Sequence, residues 1–297
     1  MTPPDPSRPK KRSLQKRTAL EPCDLCQVVR PVVRLYRVDG WNIVRCTVCG
    51  LVFLSRAEAD QLDLPGLYPR DYYEGSLADG YANLGDNEPQ MRSQARASLG
   101  RLRRHQPGGR LLEIGCSYGY FLLEARPWFA VEGIEISAHA AAQAVQRGLP
   151  VRSGDFLELP VPEAAYDAVC LFDCIEHLGD PYASLAKVRQ ILKPGGVVAI
   201  TTGDIGSLYA RLSGPRWRLM TPPRHTFYFT RRTLTGMLQA AGLRVLEISY
   251  PWKLVSLPQV LHRLSPRLRS ALGPLGRLPL GLTLNLFDAM LVIARKE

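Results

Sequence analysis

Short apolar runs alternate with amphipathic stretches through the central part of the chain. The runs "RLLEI", "FAVEGIEI", "YDAVCLF" and "GVVAITT" have the length and composition of buried strands. Helical spacing and end signals occur at Ala138–Arg147, Pro181–Leu192 and Arg231–Ala241. Two further strands are predicted at "LRVLEISY" and "AMLVIAR". The alternation predicts an α/β domain built on a mostly parallel sheet.

The segments outside this alternation divide the rest of the chain. Residues 1–20 are rich in Pro, Lys and Arg without periodicity, which predicts a disordered basic leader. Residues 21–54 carry four cysteines among short β-like runs, and 55–105 form a connection that ends in a helix-compatible stretch, Glu88–His105. The sheet domain then occupies 106–297.

A long insertion, residues 251–285, separates the last two predicted strands, which a short hairpin could join. Five apolar residues in it recur at helical spacing, which predicts an amphipathic helix. This helix could cover the sheet edge, close as a lid over an acceptor site, or lie on a membrane surface. The five residues are Leu254, Leu257, Val260, Leu261 and Leu264.

The net charge of +11 is unevenly distributed. Residues 205–285 contain twelve Arg and Lys against the single acid Glu247, whereas 21–204 carry more acids than bases. The basic segment favours contact with an anionic surface or partner, or is an ordinary solvated face.

The amino terminus lacks the apolar run of a signal peptide, and the longest late apolar stretch is too short to cross a bilayer. We therefore expect a cytoplasmic protein, with peripheral membrane contact as the variant.

Two Cys-x-x-Cys pairs lie in residues 21–54. Four thiolates at this spacing form a closed tetrahedral set for structural zinc, and disulfides are the competing interpretation, disfavoured in a reducing cytosol. The remaining cysteines, Cys116, Cys170 and Cys174, are expected to be small buried side chains. The predicted zinc ligands are Cys23, Cys26, Cys46 and Cys49.

A glycine loop follows the first strand, in "LLEIGCSYGYFLLEA". Its spacing is not the Gly-x-Gly-x-x-Gly that closes on a pyrophosphate, and Glu113 would repel a phosphate but attract a cation. Glu135 ends the second strand, where it can accept hydrogen bonds from a ribose diol. Asp155, with Phe156 beside it, can accept from an adenine amino group. A cationic ligand with ribose and adenine but no phosphate is S-adenosylmethionine.

The chain at this point resembles the class I S-adenosylmethionine-dependent methyltransferases, in particular bacterial members with an N-terminal Cys₄ zinc ribbon. The resemblance covers about residues 22–297 and rests on "CDLC…CTVCGLVFLSR", "LYPRDYYEG", "LLEIGCSYGYFL", "GIEIS", "YDAVCLFDCIEHLGDP", "ILKPGGVVAITTGD" and "PPRHTFYFTRRTL". It implies a Rossmann-like methyltransferase sheet, mostly parallel with an antiparallel last strand.

The resemblance also implies roles for individual residues. Glu113 and the loop glycines would hold the methionine moiety, Glu135 the ribose and Asp155 with Phe156 the adenine, while Phe172 and Asp173 would face the methyl group. Ser117 stands where the family has its middle glycine, and we expect a negative φ there and a slightly altered loop. The implied cofactor-binding set is Glu113, Gly115, Cys116, Ser117, Gly119, Glu135, Ile136, Asp155, Phe156 and Phe172.

The candidate catalytic residues are Asp173, His177 and His225, which lie in two later motifs. In "DCIEHLGDP", Asp173, Glu176 and His177 would share one face of a helical turn. They could bind a divalent cation, as a similar trio does in quinone O-methyltransferases and small-RNA 3′-end methyltransferases. Alternatively, His177 could be a general base, or the trio could support the cofactor loop. His225, in "TPPRHTFYFT", could be a second base, a further metal ligand or a loop-bracing residue.

Methyl transfer is an in-line displacement that depends mainly on alignment of donor and acceptor, so the sequence identifies the donor better than the acceptor. We expect the acceptor to be a small molecule, or a glycan or lipid-linked biosynthetic intermediate. The alternative is an RNA (2′-O-type) or other nucleic-acid methyltransferase, which the basic segment and the ribbon would suit. A non-catalytic binding module is the third class, and the coherent cofactor set argues against it.

Overall fold

The computed structural model describes residues 18–74, 84–256 and 281–297. The predicted leader lies outside these ranges up to residue 17, but its last residues, 18–20, belong to a strand, so the prediction of disorder was wrong there. Most of the predicted insertion helix also lies outside the described residues. Within those residues, no helix is long and apolar enough to span a bilayer.

A seven-stranded sheet forms the centre of the molecule. Its order is β11-β14-β9-β8-β5-β6-β7, and the five strands from β9 to β7 in this order are parallel. β14 is antiparallel to both of its neighbours, β9 and β11. The strands are β5 (Gly109–Ile114), β6 (Phe129–Glu135), β7 (Val151–Ser153), β8 (Tyr166–Phe172), β9 (Leu192–Gly203), β11 (Leu243–Ser249) and β14 (Ala289–Lys296).

The chain reverses its direction of travel across the sheet at β5, whose two neighbours are β6 and β8. Such a switch point leaves a crevice beyond the carboxyl ends of the strands, where ligands bind in open α/β sheets. The residues that follow β5, β6 and β8 therefore converge at one edge of the sheet.

Helices bury both faces of the sheet because successive strand residues point to opposite sides. Leu111 packs with α3, α4 and α5 on one face, whereas Leu112 packs with α6 and α8 on the other. The helices are α1 (Arg56–Ala59), α2 (Arg70–Tyr73), α3 (Glu88–His105), α4 (Tyr120–Ala125), α5 (Ala138–Gln146), α6 (Pro181–Ile191), α7 (Leu208–Ser213) and α8 (Arg231–Ala240).

A second, antiparallel sheet contains the cysteine segment. Its order is β1-β2-β3-β4-β10, and its last strand comes from the main domain. The cysteine segment is thus hydrogen-bonded directly to the part of the chain that forms the seven-stranded sheet. Its strands are β1 (Thr18–Cys23), β2 (Val28–Val38), β3 (Trp41–Cys46), β4 (Val52–Leu54) and β10 (Phe227–Tyr228).

Arg56 adds a second link between the two parts. Its guanidinium pairs with Asp24, donates to the carbonyl of Gly179 at 3.0 Å and lies over the Phe227 ring. This side chain joins the first cysteine turn to the loop after β8 and to β10.

The insertion begins as a strand and not as a helix. β12 (Lys253–Ser256) pairs with β13 (Gly281–Leu284) in a two-stranded sheet. The predicted helix is therefore wrong at Leu254, and its other four positions lie outside the described residues. Val255 is β-branched, and such residues favour strands over helices. The prediction considered only the helical spacing of the leucines and not this preference.

Candidate functional site

The four cysteines of the amino-terminal unit form a compact cluster. Their sulfur atoms all lie within 4.8 Å of one another, with 3.5 Å between Cys23 and Cys49 and 3.9 Å between Cys26 and Cys46. All four are free thiols, and these distances exceed a disulfide bond of about 2.0 Å. Zn–S bonds of about 2.3 Å in a tetrahedron separate sulfurs by about 3.8 Å, so the donor set fits zinc.

The glycine loop joins β5 to α4. Gly115 has φ +72° and Gly119, the residue before α4, has φ +77°. A Cβ on Gly115 would lie 2.6 Å from the Cys174 sulfur, and one on Gly119 would lie 2.2 Å from Leu149 Cδ1. The positive φ favours glycine at both positions, and at Gly115 the nearby Cys174 side chain also leaves no space for a Cβ.

Ser117 adopts a left-handed conformation, with φ +48°. The expectation of a negative φ was therefore wrong. The amide of Ser117 donates to Glu135 Oε2 at 2.8 Å, and this bond holds the residue in place. Its buried Oγ has no hydrogen-bond partner among the described residues.

Glu113 and Glu135 are buried at the crevice, each 4 % exposed. Burial and the charge of Glu135 raise the pKa of Glu113 well above its ordinary value. Burial also raises the pKa of Glu135, against the opposing effect of amides that include those of Ser137 and Ser117. Glu113 Oε2 has no hydrogen-bond partner among the described residues. A buried carboxylate oxygen of this kind requires a proton or a cation beside it.

The loops after β7 and β8 complete the wall of the crevice. Asp155 Oδ1 accepts from the Leu157 amide at 2.8 Å, and Phe156 is buried beneath the Lys187 ammonium, 4.9 Å from the ring centroid. Phe172, at the end of β8, packs edge to face on Phe121 with the ring centroids 4.6 Å apart.

Asp173 does not share a helical face with Glu176 and His177. It has φ +47° and precedes a 3₁₀ turn, Ile175–His177, and its Oδ1 accepts from the Thr201 hydroxyl at 3.0 Å. The predicted trio was therefore wrong in its geometry. The structure groups Glu176, His177 and His225 instead, with one ligating atom of each within 4.8 Å of the others.

His177 and His225 stack edge to face, with ring centroids 4.6 Å apart. His177 Nδ1 lies 3.0 Å from the Arg224 carbonyl and 2.8 Å from Tyr68 Oη, and His225 Nδ1 lies 2.7 Å from the Leu219 carbonyl. A carbonyl can only accept, so both Nδ1 atoms carry the proton and both Nε2 atoms are left as acceptors. Burial lowers the pKa of both, and that of His225 to about 3, so both rings are neutral near pH 7.

One cavity connects most of these residues. Every predicted cofactor-binding residue except Gly119 lines it, together with Asp173 and His177, whereas His225 lies behind His177. Among the described residues, its walls carry four carboxylates and no Lys or Arg. The cavity is therefore suited to a cation and unfavourable for phosphate.

Tyrosines from the connecting segment form a wall that the sequence analysis did not assign. Tyr68, Tyr72 and Tyr73 line the cavity, and Trp252 lines its edge while remaining 63 % exposed. The signal was present in "LYPRDYYEG", a motif used for the resemblance but given no role. The apolar wall is suited to an acceptor with an uncharged body.

Comparison with known proteins gives a family match over residues 88–248, to a methyltransferase domain. The protein named "Probable S-adenosylmethionine-dependent methyltransferase" of Mycolicibacterium smegmatis is 32% identical over 145 residues, 48% of this chain and 54% of that protein. The chain thus spans about half the length of this relative. A ubiquinone biosynthesis O-methyltransferase of Cereibacter sphaeroides is 28% identical over 171 residues, covering 50% of this chain and 68% of the relative.

Solved structures of methyltransferases have a similar fold. An S-adenosylmethionine-dependent methyltransferase from Archaeoglobus fulgidus superposes with a TM-score of 0.51 at 20% identity. The match covers 71% of this chain and 97% of that one. At this identity the similarity concerns the fold alone.

Proposed function

Since the chain belongs to the methyltransferase domain family of class I S-adenosylmethionine-dependent enzymes, we propose that it methylates a small acceptor with an uncharged, largely apolar body. The observation that carries the proposal is Glu113, a buried carboxylate at the glycine loop with one unpartnered oxygen. Its cavity has only acidic charges. The residues present fit a cationic cofactor.

S-adenosylmethionine, when bound, supplies a methyl group on a positively charged sulfur. Glu113 and the amides between Gly115 and Gly119 would hold the methionine moiety, and Glu113 would offer the counter-charge. Glu135 accepts from the ribose hydroxyls, since its oxygens keep acceptor capacity beyond the bonds from Ser117 and Ser137. Asp155, Phe156 and Ile136 line the cavity and would enclose the adenine, and Phe172, which also lines it, would be near the transferred methyl group.

The acceptor side of the proposal rests on the composition of the cavity wall. Tyr68, Tyr72 and Trp252 offer aromatic surface, and the described walls offer no cation for a phosphate. These features support a small-molecule or lipid-linked acceptor over a nucleic acid, whose phosphates would meet four carboxylates. The ribose 2′-hydroxyl of RNA stays the alternative acceptor.

His177 is the proposed general base. It lines the cavity, it is neutral near pH 7, and its Nε2 is the atom that can take a proton from an acceptor hydroxyl or acidic carbon. The Tyr68 hydroxyl and the Arg224 carbonyl orient the ring, while His225 packs behind it. Asp173, exposed at the end of β8, would face the reacting groups without serving as their base.

A divalent cation is a second candidate, because Glu176, His177 and His225 each offer a ligating atom within 4.8 Å of the others. Two neutral imidazoles and a carboxylate form a donor set that binds Zn²⁺, Mn²⁺ or Fe²⁺. Turnover in the presence of a chelator distinguishes a metal site from a general base. If His177 acts as a base alone, a chelator that leaves the cysteine-bound metal in place will leave turnover unchanged.

Zinc at the four cysteines is part of the proposal, with a structural role. The cluster is closed and lies outside the cavity, so it offers no position for a substrate. Its role would be to hold β4 and β1, and through β4 the strand β10 that follows His225.

Calorimetric titration with S-adenosylmethionine tests the proposed function. The parent protein should bind the cofactor, and Glu135→Ala should lose most of the affinity. Glu132→Ala is the matched control, since Glu132 lies on the same strand but pairs with Arg110 at 2.6 Å, away from the cavity. Equal affinities in all three proteins, or binding of nicotinamide dinucleotides, would contradict the assignment.

A further inference from the structure

Exposed apolar side chains recur in two chain segments, one that follows β9 and one that precedes β14. Of the thirteen large hydrophobic side chains that the described residues expose, six come from two chain segments, one after β9 and the other flanking β12 and β13. They are Leu208, Tyr209, Leu212, Trp252, Leu286 and Phe287.

Hydrogen bonds and packing bring the two segments together. Asp204, just after β9, donates from its amide to the Asp288 carbonyl at 2.8 Å, and its carboxylate accepts from the Tyr250 hydroxyl at 2.8 Å. The Tyr250 ring packs against Phe287, with centroids 6.1 Å apart. Leu208, Tyr209 and Leu212 follow Asp204 along the chain, and Trp252, Leu286 and Phe287 adjoin Tyr250 and Asp288. We call these six exposed side chains the apolar face.

Helix α7 has two apolar sides, one buried and one exposed. Ala210 is buried against the cluster that contains Trp217, whereas Leu208 and Leu212, one turn apart, are 73 % and 78 % exposed. The helix thus already has a buried side, and its leucines form a second apolar side directed to the exterior. Arg211, between them in sequence, and Arg216, just after the helix, are exposed.

The backbone conformation of Phe287 is a second feature of the apolar face. It is 59 % exposed and has φ +51°, a conformation that is costly for an aromatic residue and that Asn or Gly adopts readily. Its contact with the Tyr250 ring leaves most of the side chain exposed. Residues held in such conformations often serve a function at the site.

We propose that the protein docks on an anionic lipid bilayer through the apolar face and takes its methyl acceptor from the bilayer. Only the second part, the source of the acceptor, rests on the proposed function. Between residues 205 and 252 the single acid is Glu247, which pairs with Arg101 and His105. Arg211 and Arg216 are exposed at α7, beside Leu208 and Leu212, so this part of the face carries the positive charge that binding to anionic headgroups requires. Exposed Leu, Trp and Phe side chains enter the boundary between headgroups and acyl chains.

The acceptor cavity is continuous with this face. Trp252 belongs to both, since it lines the cavity and is 63 % exposed, and Pro251, Ala289 and Met290 line the same side. An apolar acceptor could thus move from the bilayer to the tyrosine wall without crossing water. This continuity favours a membrane over a second protein as the occupant.

Co-sedimentation of the full chain with vesicles tests the proposal. Phosphatidylcholine vesicles that contain phosphatidylglycerol should bind the protein, less strongly at high salt, and pure phosphatidylcholine vesicles should bind it weakly. Leu208→Ser/Leu212→Ser and Phe287→Asn should each weaken binding about tenfold or more. Val145→Ser, on the exposed side of α5, is the control and should bind like the parent.

Cofactor affinity and mass in solution complete the experiment. All variants should bind S-adenosylmethionine like the parent, so loss of vesicle binding is independent of the methyltransferase assignment. No sedimentation of the parent would overturn the proposal. So would variants that bind vesicles as the parent does, which would assign the binding to other basic segments. Light scattering that shows a dimer broken by the same substitutions would make the face a contact between copies.

Discussion

The hydroxyl oxygen of Tyr68 lies 2.8 Å from Nδ1 of His177, although the two residues are 109 positions apart in the chain. The contact links the connecting segment to the proposed base and orients its ring. Tyr68→Phe should preserve the packing and remove this contact. We expect an about fivefold slower transfer, the effect of one hydrogen bond of about 1 kcal/mol, with unchanged cofactor affinity.

Nitrogen NMR of the histidine rings gives a readout that needs no acceptor. In Tyr68→Phe the Nδ1 resonance of His177 should shift, because it loses one of its two partners. Tyr182→Phe is the control, since that hydroxyl donates to the Ala240 carbonyl outside the cavity. A His177 spectrum that does not respond to Tyr68→Phe would remove Tyr68 from the positioning of the base.

Glu113 should make the cofactor-free protein less stable as the pH rises. Its folded-state pKa lies above the ordinary value of 4.5, so the folded state holds a proton that the unfolded state releases. Stability from this group is therefore complete below pH 4.5 and is lost as the pH rises through the folded pKa. Glu113→Gln removes the ionisation, and we expect a cofactor-free variant more stable by about 1–3 kcal/mol at pH 8.

The same substitution should weaken cofactor binding, because the cation loses its counter-charge. S-adenosylmethionine should raise the Tm of the parent more at pH 8 than at pH 6, since binding favours the ionised carboxylate. The Tm shift of Glu113→Gln should be smaller and nearly independent of pH. Scanning calorimetry at both pH values, with and without cofactor, measures both effects. A parent protein whose cofactor-induced shift is the same at both pH values would contradict the role of Glu113.

Ser117→Gly should stabilise the protein. The φ of +48° strains a serine and suits a glycine, so the substitution should add about 1 kcal/mol to the free energy of unfolding, less the extra entropy of glycine in the unfolded chain. Cofactor affinity should stay within a few-fold. Urea denaturation of Ser117→Gly beside Ser117→Ala, which keeps the Cβ, isolates the backbone effect. If the glycine variant is no more stable than the alanine variant, the strain is absent.

The periodic elements could be predicted from the sequence because their signals are local. The strands β5, β6, β8, β9, β11 and β14 and the helices α3, α5, α6 and α8 occur within a few residues of the predicted bounds, whereas the short strand β7 was not predicted. Hydrophobic runs mark buried strands, and Ser137, Asp180 and Thr230 cap helices with their side chains. The mostly parallel sheet with an antiparallel last strand is confirmed.

What the sequence could not predict depends on tertiary contacts. The Asp173 turn looked like a helical face by spacing, but its φ of +47° separates it from Glu176 and His177. His225 joins that pair from a distant loop, and Tyr68 reaches His177 from the connecting segment. Such contacts leave no spacing pattern in the chain. The pairing of β4 with β10, which joins the cysteine unit to the loop that carries His225, is of the same kind.

That pairing leads to the last prediction, which concerns the cysteine cluster. The Leu54 amide of β4 donates to the Thr226 carbonyl at 2.8 Å, and the Thr226 amide donates to the Glu176 carbonyl at 2.9 Å. The cysteine unit therefore supports both loops that carry the histidines. Cys46→Ser should reduce bound zinc from about one ion per chain and lower the free energy of unfolding by about 3 kcal/mol or more, given zinc contributions of about 10–16 kcal/mol in zinc-finger peptides.

Elemental analysis, calorimetry and histidine NMR distinguish this coupling from a general loss of stability. Cys170→Ala is the control: Cys170 is buried in the sheet, so its loss should lower stability without changing the zinc content. Only Cys46→Ser should also broaden the His177 and His225 ring signals, because only that variant releases β4 from β10. Full zinc content in Cys46→Ser would contradict the four-cysteine site. Unchanged histidine signals in a zinc-depleted variant would contradict the coupling, since the histidine loops would then be held by the main domain alone.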